Sequence, residues 1–219
     1  SLEDPVEYQI EGVSQSQVHP EIGYDFSTGL RTALRQDPDI IMVGEIRDKE
    51  TAQLAIQAAL TGHMVFSTLH TNTAAGAIPR LIDMGVDPFL IAPTLILSVA
   101  QRLVSTIVGG EEISVEGSIK AIIDHQFADL PEKFKKEIPF SNKVLKIKPT
   151  SECPKGTRGR MAVFEMFAMD KEIEQIVLKS ATELDITKIL RSKGVLSMKE
   201  DAMIKAFERK ISFEEVNKL

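Results

Sequence analysis

Three charged residues follow a short apolar run in the first quarter of the chain. Residues 40–43 are four apolar residues in succession, and Glu45, Arg47 and Asp48 come soon after them. An unbroken run of this length predicts a short strand that is buried on both faces. Ligands of open α/β sheets bind at the carboxyl ends of strands, where an acid can hold a metal-bound water or act as a base. The pattern suits nucleotide hydrolysis, and an ordinary buried strand with a charged loop after it would also produce it.

A histidine follows the next apolar run. Residues 64–67 predict a second buried strand, and Thr68, Leu69 and His70 come directly after it. We expect the two strands to be neighbours, so that His70 and Glu45 lie at one edge of the sheet. An imidazole there could contact the γ-phosphate of a nucleotide or polarise the attacking water. Because a lone histidine is more often structural, the pattern alone leaves both roles open.

Two arginines lie four residues apart on a predicted helix. Residues 25–36 have helical apolar spacing, with Asp25 or Ser27 as the capping residue. Arg31 and Arg35 therefore project from one face of that helix. Two guanidinium groups on one face suit phosphate clamping or a trans-acting arginine finger, and a solvated basic face is the alternative.

Acidic residues also cluster at the start of the chain. Residues 1–2 are typical of the end of a strand, and Glu3, Asp4 and Glu7 lie on the short polar loop that follows. Paired acids beside a nucleotide site can position a metal ion or a water molecule. A solvated turn would suit three acids and a proline equally well.

The surrounding sequence predicts the elements that would hold these side chains. Residues 9–24 indicate a hairpin or two short strands, and residues 49–60 a helix with an alanine-rich inner face. A further helix is expected at residues 74–84. The apolar stretch 89–104 predicts a buried helix, since one helical face would hold the residues Ile91, Leu95, Val99 and Leu103.

The second half of the chain is expected to be mostly helical. Short helices are predicted at residues 114–124 and 129–138, and an edge strand at residues 144–147. Three or four short helices should follow beyond residue 169, with apolar stripes for core or subunit packing. Ser212 and Glu215 have the spacing of a capping box before the last of them.

Composition narrows the classes of partner. The 219 residues exceed the usual size of one domain, which predicts one large domain or one with a small appendage. A net charge of −6 argues against a nucleic-acid partner, because phosphate binding needs a surplus of Lys and Arg on one face. The single cysteine, Cys153, allows no internal disulfide and fits a reducing cytosol. No apolar run reaches the ~20 residues of a membrane span.

Three motifs in order carry a resemblance to a known family. Residues 34–48 (LRQDPDIIMVGEIRD) match without a mismatch the Walker B pattern of the secretion ATPases that drive type II secretion and type IV pili. Residues 1–8 (SLEDPVEY) resemble the aspartate box of that family, and residues 62–72 (GHMVFSTLHTN) resemble its histidine box. Similarity runs almost continuously from residue 1 to residue 102 and resumes at about residue 156.

The resemblance implies an α/β fold, namely a RecA-like P-loop NTPase sheet followed by a mostly helical C-terminal subdomain. The P-loop pattern Gly-x-x-x-x-Gly-Lys-Ser/Thr does not occur in the sequence, and in the family it precedes the aspartate box. We therefore expect a fragment whose sheet is incomplete and lacks the N-terminal half of the domain. The expected parts are an ATPase core at 1–104, a variant of the family's zinc-subdomain region at 105–160, and a helical subdomain at 161–219.

The middle part departs from the family. Extension-type members commonly have two Cys-x-x-Cys pairs in this region, a spacing that builds a tetrahedral zinc site. This sequence offers Cys153 alone, and one thiol cannot complete a four-ligand site. We therefore expect no zinc.

The resemblance also implies ATP and Mg²⁺ as ligands and assigns roles to the matched residues. Glu45 would position Mg²⁺ and the lytic water or act as the base. Glu3 and Glu7 would support the metal shell. Glu3 and Glu45 would contact Mg²⁺ through water. His70 would contact the γ-phosphate. Arg31 and Arg35 would stabilise charge on the transferring phosphoryl group, including from a neighbouring subunit. The other matched candidates for nucleotide binding are Asp39, Gly44, Arg47, Asp48 and Thr68.

The implied function is that of an ATP-hydrolysing motor subunit for type IV pilus assembly or type II secretion. Such a subunit would work as a homo-hexamer at the cytoplasmic face of the inner membrane, on an inner-membrane platform protein, without nucleic acid and without inserting into the membrane. The fragment alone would be inactive. Two alternatives remain: a catalytically inactive ring or assembly module without a P-loop, and a related DNA-uptake or conjugation motor. Glu45 and His70 argue against the first, and the net charge and lack of aromatic stacking clusters against the second.

Overall fold

The computed structural model describes residues 1–179 and 182–219 of the chain. These residues form two compact units, one of residues 1–96 and 168–186 and the other of residues 97–167 and 187–219. All the predicted site residues fall in the first unit. Each unit combines two separate stretches of the chain. The sequence predicted three consecutive parts with boundaries at residues 104 and 160, and that division stays a prediction.

The described residues contain eight strands and ten α-helices. The strands are β1 (Leu2–Glu3), β2 (Ser16–Gln17), β3 (Ile40–Val43), β4 (Met64–Ser67), β5 (Leu97–Ile107), β6 (Gly110–Ser114), β7 (Lys143–Ile147) and β8 (Thr157–Ala168). The helices are α1 (Phe26–Ala33), α2 (Lys49–Leu60), α3 (Ala77–Asp83), α4 (Pro88–Thr94), α5 (Gly117–Gln126), α6 (Glu132–Lys135), α7 (Lys171–Val177), α8 (Glu183–Ser192), α9 (Met198–Phe207) and α10 (Phe213–Val216). The mixed α/β class is confirmed.

A parallel sheet organises the first unit, with its strands in the order β2-β1-β3-β4. β3 and β4 pair in register from Ile40 against Met64 to Val43 against Ser67. Both strands have the predicted bounds, and the prediction that they are neighbours is confirmed. Since all four strands run in one direction, the residues that follow β1, β3 and β4 meet at one edge of the sheet.

The two faces of β3 differ in burial. Ile41 and Val43 are buried, whereas Ile40 is 64% exposed and Met42 is 43% exposed. β4 is also largely exposed on that face, with Phe66 opposite Met42. The predictions that β3 is buried on both faces and that β4 is a buried strand are therefore wrong, because no described element covers the face that holds Ile40, Met42 and Phe66.

Helices α1 and α2 begin at aspartate caps. The Asp25 carboxylate accepts a hydrogen bond from the Thr28 backbone N–H, and the Asp48 carboxylate accepts one from that of Thr51. Such caps satisfy backbone donors that have no partner within the helix. α2 buries the predicted alanine face, formed by Ala52, Ala55 and Ala58.

The stretch 89–104 is not one helix, and that prediction is wrong. α4 ends at Thr94, Leu95 has extended backbone angles of −74° and 117°, and β5 then runs for eleven residues. β5 pairs with β8, which gives both strands a ladder of backbone hydrogen bonds. Val99, Val104, Thr106 and Ile107 are β-branched and favour this extended form.

The second unit contains β5, β8 and an antiparallel pair of β6 and β7. Helices appear where they were predicted at 114–124 and 129–138, as α5 and α6, and β7 accounts for the predicted edge strand. The core of this unit is formed by apolar side chains from α5, α9, α10 and the strands, including Ile123, Phe127, Val144, Val163, Met203, Phe207 and Ile211. No helix among residues 1–179 and 182–219 is long and apolar enough to cross a membrane.

The prediction that Ser212 and Glu215 form a capping box at α10 is wrong. The Glu215 carboxylate accepts a hydrogen bond from the Ser105 backbone N–H at 2.7 Å, and the buried Ser212 hydroxyl has no partner among the described residues. A capping box does form at α9, where the Ser197 hydroxyl accepts from the Glu200 N–H and the Glu200 carboxylate accepts from the Ser197 N–H. Beyond residue 169, where three or four short helices were predicted, the described residues form four, α7 to α10.

Candidate active site

The loop after β3 is fixed on both sides by backbone hydrogen bonds. The Gly44 N–H donates to the Leu2 carbonyl oxygen at 2.8 Å, and the Ile46 N–H donates to the Thr68 carbonyl oxygen at 3.0 Å. A Cβ atom on Gly44 would lie 2.9 Å from that Leu2 oxygen, so only glycine lets β1 and β3 approach this closely. The backbone of residue 45 therefore has a fixed position at the edge of the sheet.

Thr68 ties the ends of β3 and β4 together. Its hydroxyl donates to the Gly44 carbonyl oxygen at 2.7 Å, while its own carbonyl accepts from Ile46. The contact extends the β3–β4 pairing beyond the last strand residues. It sets the spacing between the loop that holds Glu45 and the loop that holds His70.

Both oxygens of the Glu45 carboxylate are engaged by basic side chains. Arg47 Nη2 donates to Glu45 Oε1 at 2.6 Å, and His70 Nε2 lies 2.8 Å from Glu45 Oε2. The Glu45 side chain is 14% exposed and that of His70 is 79% exposed. The predicted meeting of Glu45 and His70 at one sheet edge is therefore what the structure contains.

The charge of Glu45 is stabilised by its neighbours. The hydrogen bond from Arg47 lowers the pKa of the Glu45 carboxyl below its ordinary value, and the hydrogen bond from His70 acts in the same direction against the effect of burial. The carboxylate in turn raises the pKa of the Arg47 guanidinium. Glu45 is consequently ionised at neutral pH and offers oxygen atoms suited to a hard cation or to a water molecule.

A second carboxylate faces Arg47. Asp4 follows β1 directly, and its Oδ2 lies 3.6 Å from Arg47 Nη1. Arg47 therefore stands between two acids that follow neighbouring strands. Sequence reasoning had placed Asp4 on the acidic loop without a role, although its position just after a strand is the same signal that singled out Glu45.

Asp48 and Asp39 lie apart from the cluster that Asp4, Glu45, Arg47 and His70 form. Both Asp48 oxygens bind Thr51, one the backbone N–H at 2.8 Å and the other the hydroxyl at 3.0 Å. Asp39 is exposed and precedes β3, so it lies at the opposite end of that strand from Glu45. The structure does not bring Asp39 to the edge where the other candidates meet.

The acids of the first loop differ in their contacts. The Glu3 carboxylate accepts hydrogen bonds from the Ser1 hydroxyl and from Gln15 Nε2, and the Ser1 contact is the main cause that lowers its pKa. The Glu7 side chain is exposed. The Cα of Glu3 would lie 3.5 Å from a Cβ on Gly44, which places its backbone beside the Glu45 loop.

The two arginines predicted to share a helical face, Arg31 and Arg35, lie in different elements and have different contacts. Arg31 forms an ion pair with Glu50 at the start of α2. Arg35 lies in the short 3₁₀ turn after α1, is exposed, and has no hydrogen bond or ion pair to any described residue. Of the two, Arg35 has the side chain that can reach a group outside this chain without breaking a contact.

His63 is structural in this chain. Its Nδ1 lies 3.0 Å from the Ala58 carbonyl oxygen and 3.1 Å from the Thr61 hydroxyl, at the end of α2. It therefore closes that helix and precedes β4, far along the strand from His70. The histidine box thus supplies one histidine to the sheet edge.

A metal ion at this edge would have few protein ligands. The described residues contain no group of three or more His, Cys, Asp and Glu side chains that could hold a metal ion together. The ionised Glu45 carboxylate still fits Mg²⁺, which keeps several waters and takes only one or two carboxylates when it is bound with phosphates. In this structure such a contact would compete with Arg47 and His70 for the Glu45 carboxylate.

The chain is similar to known proteins along nearly its whole length. The sequence profile described as "Type II/IV secretion system protein" matches residues 1–218. The chain belongs to this family. It is 41% identical over 222 residues to the type II secretion system protein E of Xanthomonas campestris pv. campestris, an alignment that covers 99% of this chain and 37% of that protein. It is 42% identical over 217 residues to the type IV pilus assembly ATPase PilB of Thermus thermophilus, covering 99% of this chain and 24% of PilB.

Two solved structures have the same fold. The pilus retraction motor PilT with bound ADP superposes with a TM-score of 0.66 at 25% identity, covering 99% of this chain and 50% of that chain. The Legionella pneumophila ATPase DotB superposes with a TM-score of 0.65 at 26% identity, covering 99% of this chain and 49% of that chain. The chain thus spans well under half of the sequence relatives above and about half of these structures.

Proposed function

We propose that the chain is the part of a secretion or pilus motor subunit that holds the acid for ATP hydrolysis. The observation that supports this most directly is the Glu45 carboxylate, ionised and in contact with His70 at the carboxyl edge of a parallel sheet. The names of the relatives point to type II secretion and type IV pilus assembly. ATP would be the substrate.

Glu45 would orient the attacking water or accept its proton, and it would face Mg²⁺ through water. Mg²⁺, when bound, supplies charge neutralisation on the phosphates. His70, whose side chain is mostly exposed, would contact the γ-phosphate. Gly44 and Thr68 would hold the two loops at the correct spacing, while Glu3 and Glu7 would support the water and metal network from the β1 loop.

The arginines would act on the phosphates in different ways. Arg35, exposed and without a partner in the described chain, is suited to reach across to the nucleotide of a neighbouring subunit. Arg31 would first have to leave Glu50. Since a group outside this chain is within reach of Arg35, we propose that the subunits form a homo-hexamer. The hexamer would act on a platform protein at the cytoplasmic face of the inner membrane. It would use neither zinc nor nucleic acid.

The test is ATP turnover by the complete gene product, with and without Mg²⁺, compared with its Glu45→Gln variant. Robust Mg²⁺-dependent turnover that is lost in Glu45→Gln, with ATP binding retained, is the expected result, since the amide keeps the shape but cannot accept a proton. A matched control is Glu11→Gln, because Glu11 is an exposed acid of the same unit outside the cluster.

Each alternative has its own outcome in this test. Nucleotide binding or ring assembly without turnover in the wild type would indicate the inactive assembly module. Turnover that rises on addition of DNA would indicate the DNA-uptake or conjugation motor. Turnover that Glu45→Gln leaves intact would remove the role assigned to Glu45.

A further inference from the structure

Arg47 is the one side chain of the cluster that contacts two carboxylates among the described residues. Its Nη2 lies 2.6 Å from Glu45 Oε1, and its Nη1 lies 3.6 Å from Asp4 Oδ2. The first contact is a full charge-assisted hydrogen bond, and the second is about 0.8 Å longer than such a bond. Arg47 is therefore committed to Glu45 here, with Asp4 as a second acceptor close by.

The backbone around Arg47 is held, so that the guanidinium group can change partners only by side-chain rotation. Ile46 is buried and donates its N–H to Thr68. Asp48 on the other side caps α2 through Thr51. The Arg47 side chain is itself more than half exposed, so rotation meets little packing.

The contacts of Glu45 compete with the role proposed for it. Oε1 accepts from Arg47 and Oε2 lies against His70, so each oxygen already has one partner and keeps one further acceptor site. A guanidinium group and a divalent cation repel each other, so both on one side of the Glu45 carboxylate are unfavourable. Binding of Mg²⁺ beside Glu45 therefore weakens its contact with Arg47.

We propose that Arg47 is a positioning residue that holds Glu45 in this structure and moves to Asp4 when Mg²⁺ and nucleotide are present. Asp4 accepts the guanidinium charge, and Glu45 keeps its contact with His70. Because Asp4 and Glu45 follow the neighbouring strands β1 and β3, the transfer needs no movement of the sheet. This inference rests on the proposed function.

The kinetic test uses the complete gene product with Asp4→Asn, Asp4→Glu and the double variant Asp4→Asn with Arg47→Gln. Asp4→Asn removes the second acceptor, and we expect kcat to fall about tenfold while KM changes less than about twofold. Asp4→Glu keeps the charge and should restore most of the turnover. The double variant, which has no guanidinium to be released, should turn over faster than Asp4→Asn.

A structural readout accompanies the kinetics. Crystal structures of the wild type with and without Mg²⁺ and a non-hydrolysable ATP analogue should show Arg47 on Asp4 in the first and on Glu45 in the second. Glu11→Gln serves as the control for loss of an exposed acid, and thermal melting of every variant checks that it folds.

The outcomes separate this inference from the proposed function. Wild-type turnover that depends on Glu45, together with an Asp4→Asn variant of normal kcat or a double variant no faster than Asp4→Asn, would overturn the transfer alone. Arg47 remaining on Glu45 in the nucleotide complex would do the same. A wild type without turnover would instead refute the proposed function.

Discussion

Asp48 lies in the stretch that matches the Walker B pattern, which makes it a candidate for nucleotide binding, yet its contacts in this structure are those of a helix cap. The two roles predict different effects of substituting it. Its carboxylate accepts from the Thr51 N–H at 2.8 Å and from the Thr51 hydroxyl at 3.0 Å. Thr51 is fully buried. We predict that Asp48→Ala destabilises the chain substantially, whereas Asp48→Asn changes its stability little and leaves turnover in place.

The magnitude follows from the two lost contacts. Removing a capping side chain costs about 0.5–2 kcal/mol, and a buried hydroxyl left without a partner costs about 1–3 kcal/mol. Since the Thr51 hydroxyl can recover part of its bonding within the helix, we expect a total of about 2–3 kcal/mol for Asp48→Ala. Asparagine caps helices as well as aspartate does, and its amide N–H₂ can donate to the Thr51 hydroxyl where the second carboxylate oxygen now accepts from it. Asp48→Asn should therefore lose mainly the charge at the helix start, about 0.3–1 kcal/mol.

The assay is urea unfolding followed by circular dichroism, combined with ATP turnover of the complete gene product well below the melting temperature. Asp25→Ala is the matched control, because Asp25 also caps a helix through one backbone N–H and one hydroxyl. Its Oδ1 accepts from the Thr28 N–H at 2.8 Å and from the hydroxyl of the buried Ser27 at 2.9 Å. It should lose similar stability without loss of kcat. A folded Asp48→Asn variant without turnover would refute the cap as the main role, since the charge would then be required for chemistry.

Two further predictions concern ion pairs. Arg191→Met should cost about 3–5 kcal/mol in urea unfolding. Glu200, only 1% exposed, would lose the guanidinium group whose Nη1 binds it at 2.9 Å, and its buried charge would keep only the hydrogen bonds from Ser197. The other concerns pH: folding lowers the pKa of Glu45 from its ordinary 4.5, so the stability from its pair with Arg47 is present above 4.5 and lost as the pH falls through the lowered value. Thermal melts should therefore separate wild type from Arg47→Gln at neutral pH and converge in strong acid; a difference that persists there would contradict the pairing.

The elements around the site could be predicted from the sequence because local and long-range preferences agree there. Residues 40–43 and 64–67 are apolar runs between turn residues, and α2 combines an aspartate cap with a repeating alanine face. Parallel pairing then brings the residues after each strand to one edge without further information. The meeting of Glu45 and His70 at this edge follows from that rule, whereas the roles predicted for them rest on the resemblance to the family.

The errors arose where apolar residues do not face a core of the described chain. In β5 the large side chains of Leu97, Val99 and Leu103 are exposed, while Ser98 and Val104 are buried, which reverses the usual alternation of a half-buried strand. Val99 and Leu103 also continue the helical spacing of Ile91 and Leu95, so periodicity favoured a helix. Pairing of β5 with β8, more than fifty residues away in the chain, decided the outcome.

The partners of the site side chains could not be predicted, because they depend on contacts between separate loops. Nothing in the local sequence indicates that Arg47 bonds to the acid two residues before it and also faces Asp4. The Ser-x-x-Glu pattern likewise occurs at both Ser197 and Ser212, and of these two only Ser197 has a glutamate that turns back to its own cap, since Glu215 accepts from a backbone N–H of β5. A motif identifies which residue types reach the sheet edge, and the neighbouring strands decide which of them are paired, which are caps and which are left to meet a ligand.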